Sequence, residues 1–212
     1  MSRTPAPSAP APARRESILD AAEDLFLRQG YEGTSVHQVV QRVGIAQGTF
    51  YYHFPSKEAV LDALVERALH PFGEAAQTRA TEDRPPWERV VEVLSQVLRI
   101  RSERGPLMAY IHREGNLKLH ETFLRRVKER FGPLLISLLE EGMASGTLHV
   151  HAPEETASFL LVTAEYLFDS PHWLGDPTVY EAQLKVAASV VEGLLGLPHD
   201  AVDLDLLGGR KG

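Results

Sequence analysis

The sequence predicts an all-α protein in which a small N-terminal domain precedes a larger helical domain. Apolar residues recur at helical spacing in every segment between the two ends of the chain. No stretch shows the long alternation of Val, Ile and Thr that indicates a strand. Glycine and proline residues divide the chain into segments of helix length, as they do between helices.

The composition excludes several classes of protein. With 212 residues, 43% hydrophobic and 24% charged, the chain is long enough to bury a sizeable core. It has no cysteine, which excludes disulfides, thiolate metal sites and cysteine nucleophiles and fits a reducing cytosol. No apolar run approaches the roughly 20 residues that span a bilayer, and the N-terminus lacks a signal-peptide pattern. We therefore expect a cytoplasmic protein with no membrane partner.

Both ends of the chain are expected to be flexible tails. Residues 1–13 read MSRTPAPSAPAPA, which offers little to bury, and its prolines oppose a regular helix. Residues 201–212 contain paired glycines and a basic tip. The folded part is thus predicted to run from residue 14 to residue 200.

The first two helices are predicted between Arg14 and Gly44. From Arg14 onward, apolar residues follow the i, i+3, i+4, i+7 rule until Gly30, which provides a left-handed stop. Thr34 and Ser35 are N-cap residue types ahead of a short amphipathic helix that stops at Gly44.

A third helix, AQGTFYYHF, is predicted from about Ala46 to Phe54, because the following proline disfavours helical geometry at Phe54. Together with the second helix it makes a helix-turn-helix over about residues 35–54, within a domain of residues 14–57. In such a pair the second helix can enter the major groove of DNA while the first crosses the phosphate backbone. Small residues at the start of the third helix would allow close approach to bases, and only Phe50 and Phe54 need be buried.

Residues 58–200 are predicted to form the second helical domain. Its first helix is capped by Ser56 and runs toward His70, before Pro71. Glycine and proline breaks then predict helices over residues 87–104, 107–114, 117–145, 154–169 and 178–195.

The net charge of −7 lies in this second domain. Residues 1–57 contain six Lys or Arg and five Asp or Glu, a net charge of +1, which leaves −8 for the rest. The near-neutral N-terminal domain permits local phosphate contacts. The acidic second domain, which we call the body, opposes indiscriminate adsorption to DNA.

The segment Ala21–Val65 resembles the TetR family of bacterial transcriptional regulators. The shared features are Gly30-Tyr31, Thr34-Ser35, Gly44-Ile45, the run GTFYYHF and the Ser-Lys-Glu start of the fourth helix. A weaker resemblance covers PLLISLLEEGMASGTL. The resemblance implies a helix-turn-helix domain followed by a ligand-binding and dimerisation domain. It also implies a repressor that a small molecule releases from a palindromic operator.

The resemblance also implies roles for individual residues in binding double-stranded DNA. Gln47, Gly48 and Tyr51 would face base edges, with His37 near bases. The residues that would face phosphates are Thr34, Ser35, Thr49, Tyr52, His53 and Lys57. For Lys57 there is a separate reason, because the first turn of a helix presents free N–H groups that favour phosphate.

The resemblance implies a ligand pocket among the middle helices. The sequence suggests a pocket lined by apolar side chains, some of which end in a polar group. The candidate lining residues are Phe72, Val97, Met108, Ile111, His112, Phe123, Val127, Phe131 and Tyr166. An ordinary core is the alternative interpretation of each. The expected effector is an apolar or amphipathic small molecule of unknown identity. No cofactor is expected. His149 and His151 do not predict a metal site, because a third ligand is missing.

The helices over residues 154–169 and 178–195 are apolar on more than one face, so each must meet two neighbours. One neighbour is the body, and the other is predicted to be a second copy in a four-helix interface around a two-fold axis. The N-terminal DNA-binding domains of the two copies are called the heads here. Two heads separated by whole turns of DNA would read a palindrome.

Two other functions were compared with this prediction. An enzyme is disfavoured, because the chain has no Gly-x-Ser-x-Gly, no phosphate-binding glycine loop and no His-Glu-x-x-His, and no catalytic residue is predicted. A DNA-binding regulator whose body is a protein-protein adaptor, or an activator without small-molecule control, stays open.

Overall fold

A computed structural model describes residues 11–103, 117–169 and 177–208, and these residues form helices without any strand. The helices are α1 (Ala11–Gln29), α2 (Val36–Val43), α3 (Gln47–His53), α4 (Lys57–Ala80), α5 (Pro86–Glu103), α6 (Leu117–Ala144), α7 (Pro153–Asp169), α8 (Pro177–Leu195) and α9 (Leu204–Leu207). The all-α prediction is confirmed. The helix predicted over residues 107–114 lies outside the described residues. Within the described part, no helix has the length and apolarity to cross a membrane.

The N-terminal part is built from α1, α2 and α3 against the first turns of α4. Helix α1 packs on α2 and α4, and α2 packs on α3. Ile18, Phe26, Val39 and Phe50 are buried between these helices. Gly44 ends α2 in the left-handed conformation, with φ 72°, which turns the chain tightly into α3.

The larger part is formed by α4 to α9. Helices α4, α5 and α6 pack against one another, α7 lies on α5 and α6, and α8 lies on α7. Phe72, Leu94, Phe131 and Leu160 lie in the buried core of this part. Because α4 belongs to both parts, the core is continuous from the N-terminal helices into the body.

Both predicted tails are partly helical, and the prediction for the tails is wrong at these places. Helix α1 begins at Ala11 rather than Arg14. Pro12 is tolerated because the first turn of a helix has N–H groups without intrahelical acceptors. At the other end, residues 201–208 are packed on α5 and α8. Val202 and Leu207 are buried there, an apolar pattern that the neighbouring glycines and charges obscured.

Helix α4 passes through Pro71 instead of ending at His70. Proline removes one backbone hydrogen bond and crowds the preceding turn. Leu69, Phe72 and Ala76 are buried on either side of it, so the burial of both halves of the helix outweighs the local cost.

Candidate nucleic-acid interface

Helix α3 presents polar aromatic side chains to solvent while its other face is anchored in the core. Phe50 is 1% exposed and Phe54 3%, whereas Tyr51 is 48% exposed and Tyr52 81%. The Phe50 and Tyr51 rings meet edge to face with centroids 5.4 Å apart, which orients Tyr51 from the buried side. The predicted burial of Phe50 and Phe54 is confirmed, and the predicted contact face of α3 is exposed.

The beginning of α2 is fixed by a capping box. The Ser35 hydroxyl accepts a hydrogen bond from the backbone N–H of Gln38 at 3.2 Å. In return, the Gln38 side-chain oxygen accepts one from the backbone N–H of Ser35 at 2.7 Å. His37 follows in the first turn and is exposed. The residue at which α2 begins is therefore fixed by its own first turn.

Thr34 was expected to face a phosphate, and the structure gives it a different place. The side chain is 2% exposed, and its hydroxyl donates to the Gly30 carbonyl at 2.7 Å. The Gln29 amide donates to the same hydroxyl oxygen at 3.2 Å. Thr34 thus closes the turn between α1 and α2, and burial removes it from contact with DNA.

Lys57 was also expected to face a phosphate, but its ammonium is turned into the protein. It donates to the Tyr31 carbonyl at 2.8 Å and the Thr34 carbonyl at 3.0 Å. The ammonium also lies 4.1 Å from the centroid of the Tyr31 ring, within cation–π distance. Lys57 therefore ties the start of α4 to the turn that carries Thr34 into α2.

The same turn has an electrostatic link to α4 and α6. Burial and the neighbouring carboxylate of Glu58 raise the pKa of the Tyr31 phenol, which keeps it neutral. Hydrogen bonds from its own backbone N–H and from the Ser56 hydroxyl lower the pKa of Glu58, which keeps this side chain charged. Lys118 at the start of α6 lies 3.9 Å from the Glu58 carboxylate.

Arg67 of α4 holds α1 from the other side. Its guanidinium contacts the carboxylates of Glu16, Asp20 and Glu23 at 3.1, 2.7 and 2.7 Å. The sequence analysis did not single out Arg67. The available signal was the spacing of the three carboxylates, which places them on one face of α1.

A row of carboxylates on α4 pairs with a row of cations on α6, and we call this contact the ion-pair seam. The seam joins Glu58 to Lys118, Asp62 to Arg125 and Arg126, and Glu66 and Glu74 to Arg130. The Arg130 guanidinium crosses α4 directly over Gly73. A Cβ added at Gly73 would stand 1.8 Å from Arg130 Nε, so only glycine leaves this path open.

The predicted ligand-pocket residues are only partly brought together. Val97 of α5 and Phe123 and Val127 of α6 line one cavity of about 260 Å³, together with Leu161 and Val162 of α7. We call this the α5–α7 cavity. The sequence analysis did not include its α7 wall in the pocket, because apolar residues on α7 also suit a helix interface.

The other predicted pocket residues lie elsewhere. Phe72 and Phe131 are buried in the core and do not line the α5–α7 cavity. Tyr166 is 63% exposed on α7, so it is a surface residue of the described chain rather than a pocket wall. Met108, Ile111 and His112 fall outside the described residues.

Comparisons with known proteins agree with this architecture. Residues 18–64 match the family described as "Bacterial regulatory proteins, tetR family". Over 192 residues the chain is 26% identical to the HTH-type transcriptional repressor KstR2 of Rhodococcus jostii (strain RHA1), covering 88% of this chain and 93% of that protein.

Two solved structures cover most of the chain. The transcriptional regulator FadR from Bacillus subtilis, in complex with stearoyl-CoA, matches with a TM-score of 0.63 at 22% identity, over 87% of this chain and 99% of that one. The SmeT–triclosan complex matches with a TM-score of 0.62 at 25% identity, over 85% and 90%. The family match spans the whole of α2 and α3 and the exposed face just described. The chain is thus a DNA-binding transcriptional regulator whose residues 18–64 match the tetR family of bacterial regulatory proteins.

Proposed function

We propose that this regulator is a homodimeric repressor that reads a palindromic operator with α3 and is released by an apolar or amphipathic small molecule. The observation that carries the proposal is the division of α3 into an anchored face, with Phe50 and Phe54, and an exposed face, with Tyr51 and Tyr52. The phenol groups of two side chains exposed on one short helix suit base edges and phosphates.

Gly48 supports a DNA-facing start of α3. A Cβ at this position would meet nothing within 4 Å, so packing inside the protein does not require glycine. Glycine in a helix is less stable than alanine by about 0.5–1 kcal/mol, which the fold accepts here without an internal reason. Close approach of the backbone to a base edge is a reason of the right kind.

The remaining contacts follow from exposure along α2 and α3. We propose that the exposed residues Gln47, Gly48 and Tyr51 contact base edges and that the exposed His37 of α2 lies near them. Ser35, Thr49, Tyr52 and His53 are proposed to contact phosphates. We leave Thr34 and Lys57 out of this set, because their polar groups are used inside the protein.

Dimerisation is supported by apolar side chains on α7 and α8 that the described part of the chain leaves exposed. Phe159, Val162 and Tyr166 are 62%, 54% and 63% exposed, at the i, i+3, i+7 spacing of one helical face. Val186 and Val190 are exposed one turn apart on α8. A second copy that covers this surface would place two heads side by side for a palindrome.

The α5–α7 cavity is the proposed effector site. Its walls are apolar, and structural relatives are described in complex with stearoyl-CoA and with triclosan, both of which carry large apolar parts. For release, the effector must bind more tightly to the state of the protein whose heads do not fit the operator than to the DNA-binding state. A preference of about 100-fold, roughly 2.7 kcal/mol, suffices for a clear response.

The DNA-binding part is tested with sites selected from random DNA and with Gly48→Ala. We expect a palindromic consensus, and we expect Gly48→Ala to raise the free energy of unfolding by about 0.5–1 kcal/mol while weakening operator binding at least about tenfold. Gly132→Ala, at a helical glycine of the second domain, is the control for DNA affinity and should leave that affinity unchanged. No gain in stability is expected from it, because the following Pro133 crowds a Cβ at this position. Unchanged DNA affinity in Gly48→Ala would remove the proposed contact.

The release step is tested by a thermal-shift screen with apolar metabolites and drugs. A compound that stabilises the protein and also frees operator DNA supports the effector site. If stabilising compounds leave the operator complex intact, the adaptor or activator alternative is favoured instead.

A further inference from the structure

The charges of α6 are unevenly matched by their surroundings. Residues 125–130 read RRVKER, with four cations and one carboxylate. The three arginines are matched: Arg125 and Arg126 by Asp62 and Glu129, and Arg130 by Glu66 and Glu74. Among the described residues, Lys128 pairs with no carboxylate, and it lies on the rim of the α5–α7 cavity.

The other polar side chains that line the cavity already interact with groups of the protein. Arg125 is held at 2.6 Å by Asp62 and at 3.0 Å by Glu129, which raises the pKa of its guanidinium. The Ser158 hydroxyl donates to the Glu154 carbonyl at 3.0 Å. Glu165 is also on the rim and is engaged in an interaction of its own. The cation that remains for a ligand is therefore Lys128.

We infer that the α5–α7 cavity selects an amphipathic anion, with its apolar body against Val97, Phe123 and Leu161 and its anionic group paired with Lys128. An apolar wall beside an uncommitted ammonium is complementary to a carboxylate on a hydrocarbon chain. A purely apolar ligand would gain the wall contacts but nothing from Lys128. This inference rests on the proposed effector site and assigns the sign of charge of its ligand.

Three probes with one chain length test the charge selectivity. Decanoate, decanol and decylammonium share the same apolar body and differ in charge, and their dissociation constants are measured by calorimetry below micelle-forming concentrations. Because Lys128 is exposed, the gain is modest: we expect wild-type protein to bind decanoate about fivefold more tightly than decanol, and decylammonium more weakly than either.

Variants connect the selectivity to one side chain. Lys128→Met should bring decanoate and decanol to within about twofold, whereas Lys128→Arg should keep the preference. Lys185→Met is the matched control, because Lys185 is an exposed lysine on α8 that does not line the cavity, and the preference should survive it. Thermal unfolding of each variant verifies that the fold is intact.

Each contrary result identifies what is wrong. Equal binding of decanoate and decanol by wild-type protein, or a preference that survives Lys128→Met, overturns the anion selectivity and leaves the cavity as an effector site. Tighter binding of decylammonium shows that Glu165 dominates the rim and overturns it as well. If none of the three probes binds, both this inference and the proposed effector site fail, while recovery of a DNA consensus still supports the DNA-binding part.

Discussion

Lys57 shows how a residue type that suits DNA contact is used for internal order. An ammonium group has three N–H donors, and two of them meet the Tyr31 and Thr34 carbonyls. These carbonyls belong to the turn that sets the start of α2. We therefore propose that Lys57 acts on DNA binding through the placement of α2 relative to α3 and α4, rather than by neutralising a phosphate.

We expect Lys57→Met to lower the free energy of unfolding by about 1–3 kcal/mol, because the apolar stem is kept while two carbonyls lose a charged donor. Operator affinity should fall as well. The slope of log affinity against log salt should stay unchanged, since no phosphate contact is lost. A slope reduced by about one, with stability unchanged, would instead identify a direct phosphate contact. Lys185→Met, at an exposed ion pair on α8, should leave both quantities near wild type.

The contrast between Tyr51 and Thr34 marks what the sequence could predict about single residues. The exposure of Tyr51 beside the buried Phe50 follows from helical periodicity, which is a local property of the chain. The inward positions of Thr34 and Lys57 depend on carbonyl groups in a turn whose geometry is set by packing of α1 against α4. Residue types do not encode that geometry. Thr34 was assigned to a phosphate on resemblance, and Lys57 on resemblance and on its place in the first turn of a helix.

Most helices were predicted, and the errors lie at Pro12 and Pro71 and in the C-terminal segment that carries α9. Helix α6 was expected to continue through Pro133, as it does, whereas α4 was expected to end before Pro71. The two prolines have the same local cost. What separates helix continuation from termination is burial on both sides of the proline, and this requires knowledge of the partner helices.

Gly73 matters for the contact between two helices, because the absence of a side chain there lets Arg130 of α6 lie across α4. We expect Gly73→Ala to displace the Arg130 guanidinium from Glu66 and Glu74, which offsets the gain of about 0.5–1 kcal/mol that alanine normally brings to a helix. In the Arg130→Met background the clash is gone, and the same substitution should stabilise the protein by that full amount. Chemical denaturation of the four proteins of this double-mutant cycle measures the difference. Equal effects of Gly73→Ala in both backgrounds would show that Arg130 does not depend on the glycine.

For the whole molecule, α4 is the element through which the body can act on the head. Arg67 ties it to three carboxylates of α1, and the ion-pair seam ties it to α6. The α5–α7 cavity is lined by the same α6. An effector that moves α6 would therefore bias the position of α4 and of the domain attached to it. Exposed ion pairs are individually weak, so this coupling is expected to weaken at high salt.

In the proposed homodimer both heads contact the operator, so loss of the dimer should strongly weaken operator binding even when each head is intact. We expect Tyr166→Glu to weaken self-association by at least about 30-fold, or 2 kcal/mol, because a two-fold interface would contain the introduced charge twice. Analytical ultracentrifugation measures the association, and DNA titration should then show weak binding to half-sites only. Leu117→Glu is the matched control: Leu117 is 74% exposed at the start of α6, next to Lys118, which pairs with Glu58 at the start of α4, and this variant should remain dimeric. Dimers that persist in Tyr166→Glu but dissociate in Leu117→Glu would place the interface at the start of α6 instead.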